Sequence, residues 1–172
     1  LHQVLGHMDD VVLVKIINLQ GADLSTGDTA VQLMALSEAW VKEDCSYGIV
    51  PNTEEDLCEP LAVALEGEKI VAYIFGHFYE QQNNTSNIPK GCRCFSVDEL
   101  YVQPEYRGQG IGKDLFRMLE EKVKHSCDCI TLTTSTKNYK SILKLYIEEL
   151  GMCFHSAFLF KQTGNKEGKL CE

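Results

Sequence analysis

The feature that most constrains this chain is a junction. Arg93 to Val102 is nearly continuous in apolar and β-branched character apart from Asp98 and Glu99. After Gln103, Pro104 and Glu105, three glycines fall at alternate positions, Gly108, Gly110 and Gly112. The period then changes, with Ile111, Leu115, Met118, Leu119 and Val123 spaced to line one side of a helix from about Gly112 to His125. A strand that turns through glycines into an amphipathic helix lays that helix back across its own sheet, so further strands must lie beside it.

The rest of the chain supplies them. Val11 to Asn18 reads as a first strand, followed by a polar stretch from Gln20 to Gly27. Asp28 suits the N-cap of a helix through about Lys42, with Val31, Met34, Ala35, Leu36 and Trp40 near one face. Glu43 to Pro60 is irregular, and a connection of that length in a compact domain is usually functional or mobile. Leu61 to Leu65 and Ile70 to Tyr79 form a hairpin around Gly67, and Gln81 to Gly91 is an exposed loop. Cys129 to Thr134 is the next strand. A helix from about Asn138 to Leu150 carries Ile142, Leu145, Tyr146 and Leu150 on one side, and Gly151 stops it. Phe154 to Phe160 reads as a last strand, and Thr163 to Glu172 as a polar tail. With no internal repeat or low-complexity segment, this order predicts an α/β arrangement with a mixed sheet, in one domain spanning residues 8–162. Residues 1–7 precede Met8 and read as a cloning remnant, so they carry no weight in the fold.

The 172 residues carry a formal charge of −9, which disfavours nucleic acid and anionic membrane surfaces and favours cationic small molecules or basic peptides. No apolar run approaches the roughly 20 residues that span a bilayer, the best being Ile70 to Phe75. No secretory leader pattern is seen, so the eight cysteines are expected as reduced thiols in a soluble, cytoplasmic protein.

Backbone N–H groups gathered at a glycine turn before a helix favour an anion. Two familiar phosphate loops fail on spacing. A P-loop needs a glycine where Arg107 stands and a hydroxyl where Asp114 stands, and a dinucleotide loop needs a glycine at Lys113.

The segment from Glu99 to Gly112 instead resembles motif A of the GCN5-related N-acetyltransferases (GNAT), whose signature of Arg or Gln, two residues, Gly, one residue, Gly or Ala is matched by Arg107, Gly110 and Gly112. The order of elements from Val11 to Gln162 is similar to that family's fold, a mixed central sheet flanked by helices in which acetyl-CoA binds at a splay between two parallel strands. The resemblance implies that the amides of Arg107, Gly108, Gln109, Gly110, Ile111 and Gly112 hold the pyrophosphate of acetyl-CoA, with Lys113 as an added charge. It also implies that the pantetheine arm pairs with Leu100, Tyr101 and Val102, and that Asn138 contacts it.

An amine attacks a thioester only as the free base, yet an alkyl amine at neutral pH is almost wholly protonated. Something must take its proton, a preorganised donor must meet the oxyanion, and an acid must help the thiolate leave. The resemblance places the donor at the backbone N–H of Tyr101 or Val102. It makes Glu99, directly or through water, the favoured base, with Asp98 second. Neighbours on a regular strand point to opposite faces, so only one of the two is expected to face the cleft. Tyr146 resembles the family's general acid, with Tyr139 as the fallback. It stands eight residues after Asn138 and five before Gly151, one more on each side than the family pattern.

The implied activity is acetyl-CoA-dependent transfer to a primary amine, with a small cationic amine the favoured acceptor. Protein or peptide acetylation and a non-catalytic acyl-CoA sensor are the alternatives, and the family's habit of dimerising leaves a homodimer open. Cys92, Cys94, Cys127 and Cys129 open two strands that would be parallel neighbours, but their one-residue spacings lack a zinc knuckle, so packing thiols are expected and no metal. His77, His125 and His155 are isolated and read as structural. Glu54, Glu55 and Asp56 fall in the segment that would face the acceptor.

Overall fold

The computed structural model describes residues 14–19, 27–57 and 59–161. The expectations for residues 1–7 and for the tail from Thr163 lie outside them. Five strands form one sheet in chain order: β1 (Val14–Leu19), β2 (Leu61–Glu66), β3 (Lys69–Glu80), β4 (Arg93–Val102) and β5 (Cys129–Leu132). The first four are antiparallel neighbours, and β5 lies parallel to β4. This is the mixed sheet the alternation of elements predicts.

Helix α1 (Gly27–Glu43) sits on one face, where Leu33 and Leu36 pack against Val63, Tyr73, Phe75 and Tyr101. Helix α2 (Ile111–Val123) covers the other, with Leu115, Phe116, Leu119 and Val123 against Ala62, Ala64, Ile74, Phe95 and Val97. Strands β2 and β3 are thus sandwiched between layers, which is why both read as continuous apolar runs.

Strand β4 is not regular. Phe75 pairs with Glu99 and Gly76 with Val97, so Asp98 is an extra residue, a β-bulge. One extra residue flips the side-chain phase. Phe95 and Val97 face α2 before the bulge, whereas Leu100 and Val102 do so after it and Tyr101 turns to α1. Gly76 makes this possible: a Cβ there would lie 1.9 Å from the Ser96 carbonyl oxygen and 2.9 Å from the Phe95 ring.

Pairing of β4 with β5 ends at Val97 and Leu132. From Asp98 to Val102, β4 therefore has no strand on that side among the described residues. Gln103 N–H donates to the Val71 carbonyl on β3 (3.0 Å), so by the two-residue period the Tyr101 amide also faces β3 while those of Leu100 and Val102 face the open edge.

The expected helix after β5 begins as α3 (Tyr139–Leu143) and then widens into a π-helical turn, Lys144–Glu149. Leu150 N–H reaches the Leu145 carbonyl five residues back, at 3.0 Å. A π turn holds one residue more than an α turn, so the surplus residue between Tyr146 and Gly151 is absorbed here. Gly151 then ends the segment in the left-handed region, φ 71°.

The expected last strand, Phe154 to Phe160, is not formed. These residues make no ladder, and Phe158 and Leu159 are 89% and 88% exposed. A short apolar stretch becomes a strand only where a partner edge receives it, and β5, four residues long, does not receive this one.

Candidate active site

The turn after β4 is built from its glycines. Gly108 and Gly110 have φ of 76° and 85°, a region side chains avoid, and no atom lies within 4 Å of where a Cβ would stand at either. Successive amides there, with the N-terminus of α2, form an anion-accepting concavity. A Cβ at Gly112 would lie 3.7 Å from the Val102 side chain, so α2 starts close against β4.

Both cations of the turn are engaged. Arg107 donates through Nε to the Val102 carbonyl (2.8 Å) and through one terminal nitrogen to both oxygens of Glu43 (2.9 and 2.7 Å). Tyr101 O–H also donates to Glu43 (2.6 Å), and the guanidinium lies 5.6 Å from its ring centre. Burial, then that hydrogen bond and the Glu43 charge, hold the Tyr101 phenol well above its ordinary value, so it stays a donor. Glu43, the last residue of α1, thereby ties the helix, β4 and the turn together. Nothing in the local sequence marks it. Lys113 pairs with Glu149 of the π turn at 3.3 Å.

The bulge places Asp98 and Glu99 on the same face of the sheet, where a regular strand would have separated them. Glu99 Oε2 accepts from Tyr73 O–H (2.6 Å) and from Asn52 Nδ2 (2.8 Å). Burial and the adjacent carboxylate push the Tyr73 phenol strongly up, so it too remains a donor. Asn52 is fixed in turn by its own amide, which donates to the wholly buried Ser37 hydroxyl at 2.6 Å. The irregular segment after α1 is thus pinned to the base of the bulge. Asp98 is exposed and pairs with His77 Nδ1 at 2.7 Å, while Ser96 O–H donates to its other oxygen at 3.2 Å. His77 therefore has a partner on the acidic bulge, and it is not isolated as the sequence suggested.

Tyr146 is buried against α2, its ring 6.1 Å from that of Phe116, and burial pushes its phenol up to about 12. Its hydroxyl forms no hydrogen bond to any described residue. Tyr139 is exposed, and Asn138 stands at the N-cap of α3. Glu54, Glu55 and Asp56 form a short 3-10 turn in which Asp56 accepts from Thr53 N–H (2.8 Å) and O–H (2.7 Å), which lowers its carboxyl below the ordinary range. The thiols of Cys94 and Cys129 meet across β4 and β5, Sγ to Sγ 3.3 Å, and burial and that contact push Cys129 up to about 12. Among the described residues no His, Cys, Asp and Glu side chains group as a metal site, and no helix is long and apolar enough to cross a membrane.

A strand edge left open beside a glycine turn suits acetyl-CoA: the turn accepts an anion and the edge offers free backbone groups to an extended amide-bearing arm. No curated protein sequence is significantly similar to the chain. Among solved structures, an aminoglycoside acetyltransferase from an uncultured soil metagenomic sample, in complex with trehalose, superposes with a TM-score of 0.63 at 21% identity, over 87% of this chain and 95% of that one. A ribosomal-protein-alanine N-acetyltransferase from Brucella melitensis biovar Abortus 2308 gives 0.56 at 20% identity, over 87% and 99%. A predicted acetyltransferase from Clostridium acetobutylicum, solved with acetyl-CoA, gives 0.59 at 18% identity, over 87% and 96%. At these identities the likeness is one of fold. The profile of the acetyltransferase (GNAT) family matches residues 28–152, from the first turn of α1 through the glycine turn to just past the π turn. The chain belongs to the GNAT acetyltransferase family.

Proposed function

We propose that this acetyltransferase transfers acetyl from acetyl-CoA to the primary amine of a small cationic acceptor, by direct attack with both substrates bound. The observation that carries the reading is the open edge of β4, which runs from the glycine turn to a bulge where two carboxylates share one face. Amides from Arg107 to Gly112 hold the pyrophosphate, Leu100 and Val102 receive the arm along the edge, and Asn138 touches it from α3. When bound, acetyl-CoA supplies a thioester whose carbonyl carbon is open to an uncharged amine.

The chain's own groups do the rest. Val102 N–H, on the open side, donates to the carbonyl oxygen as it gains charge. Asp98 and Glu99 attract and orient the acceptor's ammonium. One of them, directly, through water or through a group it holds, removes a proton. Tyr146, kept protonated by burial and with its hydroxyl uncommitted, gives a proton to the departing sulfur. The charge of −9 and the acidic bulge support a cationic acceptor, and two fold neighbours are aminoglycoside acetyltransferases. The described cysteines are free, which supports a cytoplasmic setting.

Incubation with acetyl-CoA and a panel of polyamines, aminoglycosides, amino acids and peptides, read by mass spectrometry and thiol release, tests this. Addition of 42 Da, the mass of an acetyl group replacing hydrogen, to small amines in preference to peptides is the expected outcome. Preference for peptide N-termini or lysines would favour the ribosomal-protein-alanine type of neighbour. Binding of CoA without turnover would mark a sensor.

A further inference from the structure

His77 has no part in the motif, yet its place in the sheet gives it one. Residues Tyr73, Phe75, His77 and Tyr79 alternate onto the α1 side of β3, and α1 covers that face only as far as Tyr73 and Phe75. Beyond them, among the described residues, His77 is exposed and Tyr79 partly buried. The bulge turns Asp98 onto this same face, at the point where β4 parts from β5. The imidazole is 54% exposed, and its Nδ1 lies 2.7 Å from Asp98 Oδ2 while Asp98 Oδ1 accepts from Ser96. A carboxylate accepting at both oxygens has no hydrogen to give, so Nδ1 carries the hydrogen and Nε2 keeps a lone pair. Glu99, by contrast, has Oε2 filled by Tyr73 and Asn52.

We propose that His77, oriented by Asp98 as its positioning residue, is the catalytic base that takes the acceptor's proton at Nε2. The proposal rests on amine acetylation as the reaction. Its balance is simple: the ammonium of the acceptor carries three protons. One passes to His77 and on to solvent, which reaches the exposed ring. One goes by way of Tyr146 to the sulfur as the carbon–sulfur bond breaks and the carbon–nitrogen bond forms. One stays on the amide. An imidazole lone pair is a stronger proton acceptor than a carboxylate oxygen, and the exposed ring can pass the proton on to water. The titratable groups beside the ring are Asp98, bonded to it, and Tyr79, whose ring centre is 6.2 Å away; Glu99 follows Asp98 on β4, and Cys94 and Cys129 neighbour Tyr79. Tyr79 is raised on balance, the lowering hydrogen bond with Thr131 being outweighed by burial and the neighbouring thiols, and Cys129 is raised by burial and Cys94, so both stay uncharged at neutral pH.

The test has two arms. Long-range 15N–1H correlation of the imidazole in the full chain reads the neutral tautomer without any turnover, and the Nδ1–H form is expected. An Nε2–H form overturns the proposal. In the second arm, kcat/KM for the best amine of the panel is followed from pH 5.5 to 9. The wild type is expected to show an acid limb in the imidazole range. His77→Gln should lose about 30-fold at pH 7.5 and lose that limb, with acetyl-CoA Kd unchanged. Asp98→Asn should keep a limb but lose about 5-fold. A limb unmoved in His77→Gln overturns the role even if the rate falls. If the wild type acetylates no amine, the reading of the reaction fails and takes this role with it, while the tautomer still reports the geometry.

Discussion

Gly76 is where a single methyl group tests the architecture of the site. Replacing it by alanine puts a Cβ 1.9 Å from the Ser96 carbonyl oxygen, and that neighbour is backbone rather than the end of a flexible side chain. The Phe95 ring, itself fully buried, stands 2.9 Å away on the other side. Relief therefore requires β3 and β4 to part by roughly 1 Å in a close-packed interior, or the bulge to slip. Overpacking of this kind costs about 1–3 kcal/mol, and with a carbonyl as the obstacle the upper end applies. At about 2–4 °C per kcal/mol for a chain of this size, Gly76→Ala should melt about 6–12 °C below the wild type. The damage should also be local: Asp98 and Glu99 sit on the displaced stretch, so the rate of acetyl transfer should drop well below the wild type at a temperature where both proteins are folded. Thermal melting followed by far-UV dichroism, with rates at 20 °C, reads both. A Tm within 2 °C of the wild type would refute the claim that close approach at Gly76 is what admits the bulge.

Two further outcomes follow from the same geometry. Arg107→Lys keeps the charge but loses the Nε bond to Val102 and the two-oxygen grip on Glu43, so the turn loosens and acetyl-CoA Kd should rise about tenfold by calorimetry, about 1.4 kcal/mol; an unchanged Kd would mean that the turn is held by its glycines alone. Tyr146 keeps its proton to about pH 12 when folded, against 10.0 for an ordinary tyrosine, so its contribution to stability is complete below pH 10 and is lost as pH rises through 12. Urea melts of Tyr146→Phe should therefore lose less stability than the wild type between pH 10 and 12, by about 2 kcal/mol, and parallel losses would show that the phenol is not desolvated.

What could be read in the sequence was what local pattern encodes. The glycine turn, the amphipathic period of α2 and the apolar runs of β2 and β3 each announce themselves within a dozen residues. Four other features depend on contacts that no local pattern records. Asp98 is an ordinary strand residue until Gly76, 22 positions earlier, leaves room for a bulge. Glu43 reads as the polar end of a helix, and only the fold brings Arg107 and Tyr101 to it. The shifted place of Tyr146 looks like a mismatch until the π turn takes up a residue. Phe154 to Phe160 has the composition of a strand and pairs with no edge. His77 fell between these cases: its identity was visible and its partner was not.

The neutralised turn also changes what the net charge means for the cofactor. Arg107 is spent on Glu43 and Lys113 on Glu149, so residues 107–113 offer an anion mainly backbone amides and a helix end. Such groups act at contact distance and within the first turn of the helix, where screening is slight. The long-range field is a different matter, because a chain of charge −9 repels a polyanion at every approach. Added salt weakens that repulsion and barely touches the amides, so acetyl-CoA affinity should stay flat or tighten as the salt concentration rises from 50 to 500 mM. Glu149→Gln would free Lys113 to reach the ligand, and should tighten binding at low salt while making it fall with added salt. If instead the wild type weakens more than about tenfold over that range, the two cations must leave their partners when the ligand arrives, and the amides alone are not the anion site.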